Sequence, residues 1–303
     1  MFPAKILLFG EYSLMQGSNA LAIPFRNYFG EWSRSTFDTG SAPLLLEFAN
    51  YLENKQNGIP FKIDIQKFKK DISLNLCFES SIPISYGIGS SGALCAAFYE
   101  RYVTNPIPAN CNDNELTELK NHLSFLEKYF HGTSSGIDPL ISYTKATLVL
   151  EGKGNLRRLK ANQIYPDAIS VFLLDTQKYG NTETNVTLFN DLLKEDDYSQ
   201  EFKSHYIPLV NASITYYLEH KTNEFFESVN KLSVSQLSFF EPMIPSDFQK
   251  YFRIAQETSK FSLKLCGSGG GGFLLGFTSD IGYTNKLFSA DDVKMITINL
   301  NHD

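Results

Sequence analysis

The chain lacks three features that would place it in a specialised class of protein. It has only four cysteines in 303 residues, and they are scattered, without a C-x-x-C pair or a spacing typical of a metal site. A disulfide framework is therefore not expected, and a reducing cytoplasm is the predicted compartment. The chain also has no apolar run close to the ~18 residues that a membrane helix needs. Its first apolar run, ILLF, is too short for a signal peptide.

The charge distribution also shows no specialised feature. The formal net charge is −6, and the densest basic stretch is KFKK at 67–70, which a solvated helix face explains. Nucleic acid and membrane surfaces are therefore not expected as partners. A small anionic ligand remains compatible with this charge because backbone amides can bind it locally, and a homodimer stays open. With 43% hydrophobic and 20% charged residues, the composition is that of a globular protein.

The periodicity of apolar residues predicts an α+β fold with two domains, 1–167 and 168–303. Alternation predicts strands at FKIDI (61–65) and ISLNLCF (72–78), and the run AISVFLLD at 168–175 is a plausible start for the second domain. Leucines at helical spacing, preceded by Asn112 and Glu115 as a capping box, predict a helix over 114–131 that ends at Gly132.

Two glycine-rich runs fit the pattern G-x-G-x-x-G, namely GIGSSG at 87–92 and GSGGGG at 267–272. A dinucleotide site needs an acidic residue about 20 positions later at a strand end, and Asp113 lies instead in the polar stretch PIPANCNDNE. A P-loop is not indicated, because Ala93 follows Gly92 where that motif has lysine. A protein kinase would also require H-R-D and D-F-G motifs, which the sequence lacks.

The first run still favours phosphate binding. Small residues allow close approach of the backbone, and the helix predicted to follow directs free N–H groups into the loop. Ser90 and Ser91 add hydroxyl donors and a potential Mg²⁺ ligand. A tight turn with a serine N-cap is the alternative, and this loop alone does not decide between them.

Four segments in the same order resemble the motifs of the GHMP kinases (galactose, homoserine, mevalonate and phosphomevalonate kinases). They are PAKILLFGEYSLMQGSNALAIP, GIGSSGAL, EKYFHGTSSGIDPLIS and KLCGSGGGGFLLGF. The segments are most similar to those of mevalonate kinases. The chain departs from the family pattern at six positions, which are Tyr12 for His, Gly92 for Ala, Ser134 for Pro, Pro139 for Asn, Cys266 for Thr and Ser268 for Ala.

The resemblance implies a two-domain GHMP kinase fold, with a ribosomal-protein-like α/β N-terminal domain and a ferredoxin-like C-terminal domain. It implies ATP and Mg²⁺ as cofactors and phosphorylation of a small-molecule alcohol, most simply mevalonate to 5-phosphomevalonate. Alternatives within the family are phosphomevalonate, sugar and homoserine kinases and the related diphosphomevalonate decarboxylase. A nicotinamide-dependent oxidoreductase and a non-catalytic nucleotide-binding protein are alternatives from other classes.

The resemblance also assigns catalytic roles to two residues. It implies that Asp138 accepts the proton of the alcohol and that Lys5 pairs with Asp138 and the acceptor hydroxyl. Each has an ordinary alternative. Asp138 precedes Pro139 and could be a helix N-cap, and Lys5 could extend from the end of a strand into solvent.

The remaining implied site residues fall into three groups. The nucleotide loop comprises Gly87, Gly89, Ser90, Ser91 and Gly92, and the metal ligands are Ser91 and Glu127. The acceptor side comprises Glu11, Tyr12, Thr182, Gly269 and Gly270. A surface glutamate, a turn residue, a loop hydroxyl and a flexible hairpin are the ordinary alternatives for these positions.

Overall fold

The structure is a computed structural model and describes residues 1–35, 40–55, 58–152, 154–160 and 168–298. Its contacts divide the chain into two compact units. Unit 1 comprises Met1–Lys5, Ile88–Ala146 and the described residues of Ile23–Pro83, and unit 2 comprises Ile6–Ala22, Ile84–Gly87 and the described residues from Thr147 onward. The predicted boundary between 167 and 168 adjoins the segment 161–167, which lies outside the described residues, and it stays a prediction.

Two strands pass from one unit into the other, β1 (Phe2–Phe9) and β2 (Ala20–Arg34). The further elements of unit 1 are α1 (Ser41–Asn54), α2 (Ile65–Ser73), β3 (Leu76–Ser80), α3 (Ser90–Tyr102), α4 (Asp113–His131) and α5 (Ile137–Thr144). β3 pairs antiparallel with the end of β2, from Gly30 opposite Ser80 to Arg34 opposite Leu76. The helix α3 is buried along most of its length and packs against α4 and α5. Small residues on α3, such as Ala93 and Ala96, permit this close packing.

The helix α4 confirms the prediction for 114–131. The Asn112 side chain accepts the backbone N–H of Glu115, and the Glu115 carboxylate accepts the N–H of Asn112 at 3.0 Å, so both halves of the capping box are present. Gly132 ends the helix with φ of 68°, and its N–H donates to the Lys128 carbonyl at 2.9 Å. Hydrogen bonds between residues close along the chain therefore mark both ends of the helix.

The strand predicted for FKIDI at 61–65 is wrong. Only Ile63 bridges to another segment, at Val103, and the helix α2 begins immediately afterwards. The Asp64 side chain accepts the backbone N–H of Lys67 and caps this helix, so a local N-cap prevails over the alternating pattern. The next predicted strand, 72–78, is only partly correct because α2 continues to Ser73 before β3 begins.

Unit 2 contains most of the remaining elements. They are β4 (Leu148–Glu151), β5 (Asn155–Arg158), β6 (Ser170–Asp175), α6 (Thr182–Leu192), α7 (Asp196–Glu201), a π-helical turn (Phe202–Tyr206), α8 (Ile207–Leu218), α9 (Thr222–Phe239), α10 (Gln249–Thr258), β7 (Phe261–Leu265), β8 (Phe273–Thr278), α11 (Ile281–Ala290) and β9 (Met295–Ile298). The run VKMITINL at 293–300 predicts this last strand, and residues 299–300 lie outside the described residues.

Four of these strands form one antiparallel sheet in the order β7-β8-β6-β9. With helices between β6 and β7 and between β8 and β9, the chain follows the β-α-β-β-α-β order of ferredoxin-like domains. Helices α9 and α10 pack against β7, which is buried at every position. The start of β2 pairs with β4 within this unit, from Ala20 opposite Leu150 to Ala22 opposite Leu148.

The predicted α+β class is confirmed by this mixture of antiparallel sheets and helices. In the part of the chain that the structure describes, every helix is too short or too polar to cross a lipid bilayer.

Candidate active site

The loop at 87–92 leads directly into a helix, as the phosphate-loop reading requires. Gly89 is the N-cap of α3, with φ of 81°, and Ser90 is the first helical residue. The first N–H groups of a helix have no partner within it, and the helix dipole makes this end favourable for anions. Ser91 is half-buried in the first turn. The backbone at this point therefore has the chemistry of a phosphate site.

Gly89 lies against the two residues to which the family resemblance assigns catalytic roles. A Cβ added at this position would be 3.1 Å from Cγ of Lys5 and 3.2 Å from Oδ2 of Asp138. The positive φ and this close approach both require glycine. In addition, the backbone N–H of Lys5 donates to the carbonyl of Ile88 at 2.9 Å. The loop from Ile88 onward, the lysine and the aspartate thus form one cluster within unit 1.

Lys5 and Asp138 form an ion pair, with 3.1 Å between Nζ and Oδ1. The lysine side chain is 6% exposed, whereas that of the aspartate is 29% exposed. Lys5 therefore does not extend into solvent, and the alternative proposed for it is wrong. The carboxylate is therefore accessible enough to meet a ligand.

The N-cap interpretation of Asp138 is also wrong. Gly136, with φ of 76°, is the N-cap of α5, and Asp138 is the second residue of that helix. The N-cap residue is a glycine and makes no side-chain capping bond. The carboxylate lies in the first turn, where the helix dipole stabilises its charge.

Glu127 is buried, contrary to the ordinary expectation for a glutamate on an amphipathic helix. It is 4% exposed, and its Oε1 accepts the hydroxyl hydrogen of Ser91 at 3.3 Å. The Ser91 hydroxyl also lies 2.9 Å from Nε2 of His131, the last residue of α4. Ser134 donates a short hydrogen bond to the other carboxylate oxygen, Oε2. The predicted metal ligands Ser91 and Glu127 are therefore in contact.

The electrostatics of Glu127 suit a site that a cation completes. Burial raises the pKa of its carboxyl to about 8, and the negative charge of Asp138 adds to this shift. Across residues 1–35, 40–55, 58–152, 154–160 and 168–298, no group of three or more His, Cys, Asp or Glu side chains could hold a metal ion. Mg²⁺ in nucleotide sites is held by one or two protein oxygens together with phosphates and water, so a hydroxyl and a carboxylate in contact fit its needs.

Gly92 explains one of the departures from the family pattern. An added Cβ would lie 2.8 Å from the carbonyl carbon of Asp138 and 2.9 Å from the nitrogen of Pro139. The alanine of the family pattern would therefore meet the backbone of α5, where proline replaces the family's asparagine. Glycine at 92 lets α3 and α5 approach closely enough to bring Asp138 to the loop.

We expect Gly92→Ala to displace Asp138. Overpacking a close contact between helices typically costs about 1–3 kcal/mol, and a catalytic group misplaced by ~1 Å can lose about 10²-fold in rate. Urea unfolding and kcat would measure both effects. Gly58→Ala is the matched control, because an added Cβ there meets nothing within 4 Å. Stability and kcat equal to those of the wild type would contradict this reading of Gly92.

In unit 2, the predicted acceptor residue Glu11 has a partner that the sequence did not reveal. Its Oε1 accepts a short hydrogen bond from Nζ of Lys264 in β7, and the two side chains are 2% and 1% exposed. The lysine also donates to the carbonyl of Leu265 at 2.7 Å. The sequence signal was a lysine in a mostly apolar strand, FSLKLCG. Glu11 is thus an ion-paired core residue and not a simple turn residue.

Tyr12 holds the second glycine run through its hydroxyl. It has φ of 55°, uncommon for a bulky residue, and its ring stacks on Phe240. Its hydroxyl donates to the carbonyl of Ser268 at 2.7 Å, and burial raises the pKa of this hydroxyl well above its usual range. Both residues depart from the family pattern, and within this unit they are bonded to each other.

The glycine run at 267–272 joins β7 to β8 and is held by side chains. The Asn185 amide donates to the carbonyls of Ser268 at 3.0 Å and Gly269 at 2.9 Å, which no sequence signal indicated. The Thr182 hydroxyl lies 3.1 Å from that of Ser268. The N–H of Gly270 donates to a backbone carbonyl outside the run at 2.6 Å. The run is therefore a loop held in place by hydrogen bonds and not a flexible hairpin.

The structure thus groups the predicted site residues into two clusters. Unit 1 brings together Lys5, Gly89, Ser90, Ser91, Gly92, Glu127 and Asp138. Unit 2 contains Glu11, Tyr12, Gly87, Thr182, Gly269 and Gly270. A role of the unit 2 residues in acceptor binding stays a prediction, and so does nucleotide binding by Gly87.

Comparison with known proteins agrees with this geometry. Residues 43–145 match the family described as GHMP kinases N terminal domain, a range that contains the first glycine loop, Glu127 and Asp138. A mevalonate kinase from Pyrococcus horikoshii is 26% identical over 161 residues. That match covers 46% of this chain and 47% of the relative, so it spans about half the length of the curated protein.

Solved structures show a similarity over nearly the whole chain. The Methanococcus jannaschii mevalonate kinase has a TM-score of 0.63 at 18% identity, covering 98% of this chain and 96% of that one. The Streptococcus pneumoniae phosphomevalonate kinase in complex with phosphomevalonate and AMPPNP has a TM-score of 0.65 at 16% identity, covering 98% of both chains. The GHMP kinase fold and the resemblance to mevalonate kinases are therefore confirmed.

Proposed function

We propose that this chain transfers the γ-phosphoryl group of ATP to the hydroxyl of a small alcohol. The premise is that it has the GHMP kinase fold and carries the N-terminal domain of that family. The observation that carries the proposal is the cluster in unit 1. There the ion pair of Lys5 and Asp138 lies against Gly89, at the N-terminus of α3, with Ser91 and Glu127 in contact nearby. Phosphoryl transfer depends mainly on positioning and charge neutralisation, and this cluster supplies groups for both.

Each residue of the cluster has a distinct part in the proposed reaction. The acceptor hydroxyl loses its proton to the Asp138 carboxylate as its oxygen bonds to the γ-phosphorus, and the oxygen that bridges the β- and γ-phosphates leaves with ADP. Lys5 pairs with this carboxylate and stabilises negative charge on the acceptor oxygen. The free N–H groups at the start of α3 bind phosphate oxygens.

Ser91 and Glu127 would hold the magnesium ion. When bound, Mg²⁺ neutralises charge that accumulates on the phosphates during transfer. The Glu127 carboxylate, which burial disfavours as an anion, would find its counter-charge in that ion. The hydroxyl of Ser91 orients toward this carboxylate and keeps the two ligand oxygens together.

Mevalonate is the acceptor that we propose, with 5-phosphomevalonate as the product. The support is the pairing of Lys5 with Asp138 in the segment HGTSSGID, together with relatives named mevalonate kinase. Phosphomevalonate is the second candidate acceptor, because a phosphomevalonate kinase shares this fold over the same length.

The proposal is tested by measuring ADP release with ATP and Mg²⁺ against mevalonate, phosphomevalonate, homoserine and galactose. We expect turnover with mevalonate in the range of about 1–100 s⁻¹ that is typical of kinases. A preference for another acceptor would replace mevalonate but retain the phosphotransferase. Absence of ADP release with all four, together with no binding of AMPPNP, would overturn the proposed function. A substrate-dependent change in nicotinamide absorbance would instead indicate the oxidoreductase alternative.

A further inference from the structure

Ser134 is one of the positions where the chain departs from the family pattern, which has proline there. Proline has no side-chain donor, whereas the hydroxyl of Ser134 has a definite use in this structure. It donates a short hydrogen bond to Oε2 of Glu127, the carboxylate oxygen that does not accept the Ser91 hydroxyl. The two oxygens of this carboxylate are therefore held by two different serine hydroxyls.

The hydroxyl of Ser134 is itself held in place. Its oxygen accepts the backbone N–H of Gly136 at 2.9 Å, so its single hydrogen is left for the carboxylate. The carbonyl of Ser134 accepts the hydroxyl hydrogen of Ser124 at 2.8 Å. Ser124 and Glu127 lie one turn apart on α4, so the loop is attached to the same face of the helix at two points.

The same loop leads to α5, the helix that carries the proposed base. Gly136, the N-cap of α5, packs so closely on α4 that an added Cβ would overlap the carbonyl oxygen of Lys120. Asp138 follows two residues later. One short segment therefore links the buried carboxylate on α4 to the start of the helix that carries the proposed base.

We propose that Ser134 is a positioning residue that orients the Glu127 carboxylate for the metal of a metal–nucleotide complex, a role that rests on the proposed function. A carboxylate that binds a metal with one oxygen is free to rotate unless its other oxygen is hydrogen-bonded. Partners of this kind typically change metal affinity by about 10–100-fold when they are removed. Ser134 supplies that partner at a position where the family pattern has proline, which has no side-chain donor.

The test measures metal binding directly, with Mn²⁺ in place of Mg²⁺. Free Mn²⁺ is followed by electron paramagnetic resonance in the presence of AMPPNP, for the wild type and for Ser134→Ala. We expect the variant to bind Mn²⁺ at least about 10-fold more weakly, while its affinity for AMPPNP without metal stays the same. Its activity should require correspondingly more Mg²⁺, with kcat recovered at saturating Mg²⁺.

Two further comparisons separate positioning from a purely structural role. Ser134→Thr and Ser134→Val have nearly the same shape and differ in the hydroxyl, so we expect Thr to retain Mn²⁺ affinity and Val to lose it. If the alanine variant does not fold, the comparison of the threonine and valine variants still tests whether the hydroxyl positions the Glu127 carboxylate. Ser135→Ala is the matched control, because the Ser135 hydroxyl accepts the N–H of Ile137 at 3.3 Å in a similar turn.

The outcomes distinguish the two proposals. If the wild type binds Mn²⁺ with AMPPNP and all the Ser134 variants bind equally well, the role of Ser134 is wrong and the proposed function stands. A lower Tm without a change in Mn²⁺ affinity would likewise assign Ser134 to the turn alone. If the wild type binds no AMPPNP with or without Mn²⁺, both proposals fail.

Discussion

Asp138→Asn is expected to lower kcat by roughly 10²–10⁴, the usual contribution of a general base. Asparagine keeps the shape of the side chain but cannot take the proton of the acceptor hydroxyl. The helix start should survive the change, because Gly136 and not Asp138 is the N-cap of α5. Binding of AMPPNP should change little, since the contacts proposed for the nucleotide are made by backbone groups of the loop and by other side chains.

The measurements are ADP release at saturating ATP, Mg²⁺ and mevalonate, and AMPPNP affinity by calorimetry. Asp113→Asn is the matched control, because Asp113 also lies in the first turn of a helix but is exposed and has no assigned role. It reports the loss of a favourable interaction with a helix dipole alone, which amounts to about 0.3–1 kcal/mol. Near-normal kcat in the Asp138 variant would show that this carboxylate serves the structure only.

The largest effect on stability is expected from Lys264→Met. The substitution leaves the Glu11 carboxylate in a site where it is 2% exposed, without the ammonium that now donates to it. Breaking one half of a buried ion pair typically destabilises a protein by about 3–5 kcal/mol. We therefore expect a marked loss of stability in urea unfolding, with a fall in Tm on the order of 10 °C.

The double variant Glu11→Gln with Lys264→Met tests the cause of this loss. It removes both charges, so we expect it to regain a large part of the stability that the single variant loses. Lys231→Met is the control, because Lys231 pairs with Glu227 on the surface, with both side chains more than half exposed. Exposed pairs contribute about 0–1 kcal/mol. An equal loss in the Lys264 and Lys231 variants would show that the buried charge is not the cause.

Local features of the fold could be predicted from the sequence because neighbours along the chain determine them. The helix α4 is the clearest case, since Asn112, Glu115 and Gly132 set its two ends by their own hydrogen bonds. The strand predicted at 61–65 was wrong because a neighbour along the chain determines the structure there too. Alternation of apolar residues suits a strand, but the Asp64 side chain instead caps a helix, and the two signals overlap.

The site could be predicted only where a motif carried it. Lys5 and Asp138 are far apart along the chain, and composition or periodicity gives no reason to pair them; the resemblance to GHMP kinases did so. Lys264 and Glu11 are separated by 253 positions, and each lies in a recognised motif, yet their pairing required the fold. Ser134 was visible only as a departure from a pattern, because the partner of its hydroxyl lies on the preceding helix.

The discontinuity of the two units limits how this protein can be dissected. Unit 1 takes its first residues, including Lys5, from a strand whose remainder belongs to unit 2, and β2 is likewise shared. No single cut in the chain releases either unit intact. A fragment that ends at Ala146 would leave residues 20–22 of β2 without their β4 partner, which exposes unpaired strand backbone and invites aggregation. A recombinant fragment would therefore need a circularly permuted or relinked chain. In that chain, the segments of β1 and β2 that belong to the retained unit would be joined to the rest of that unit.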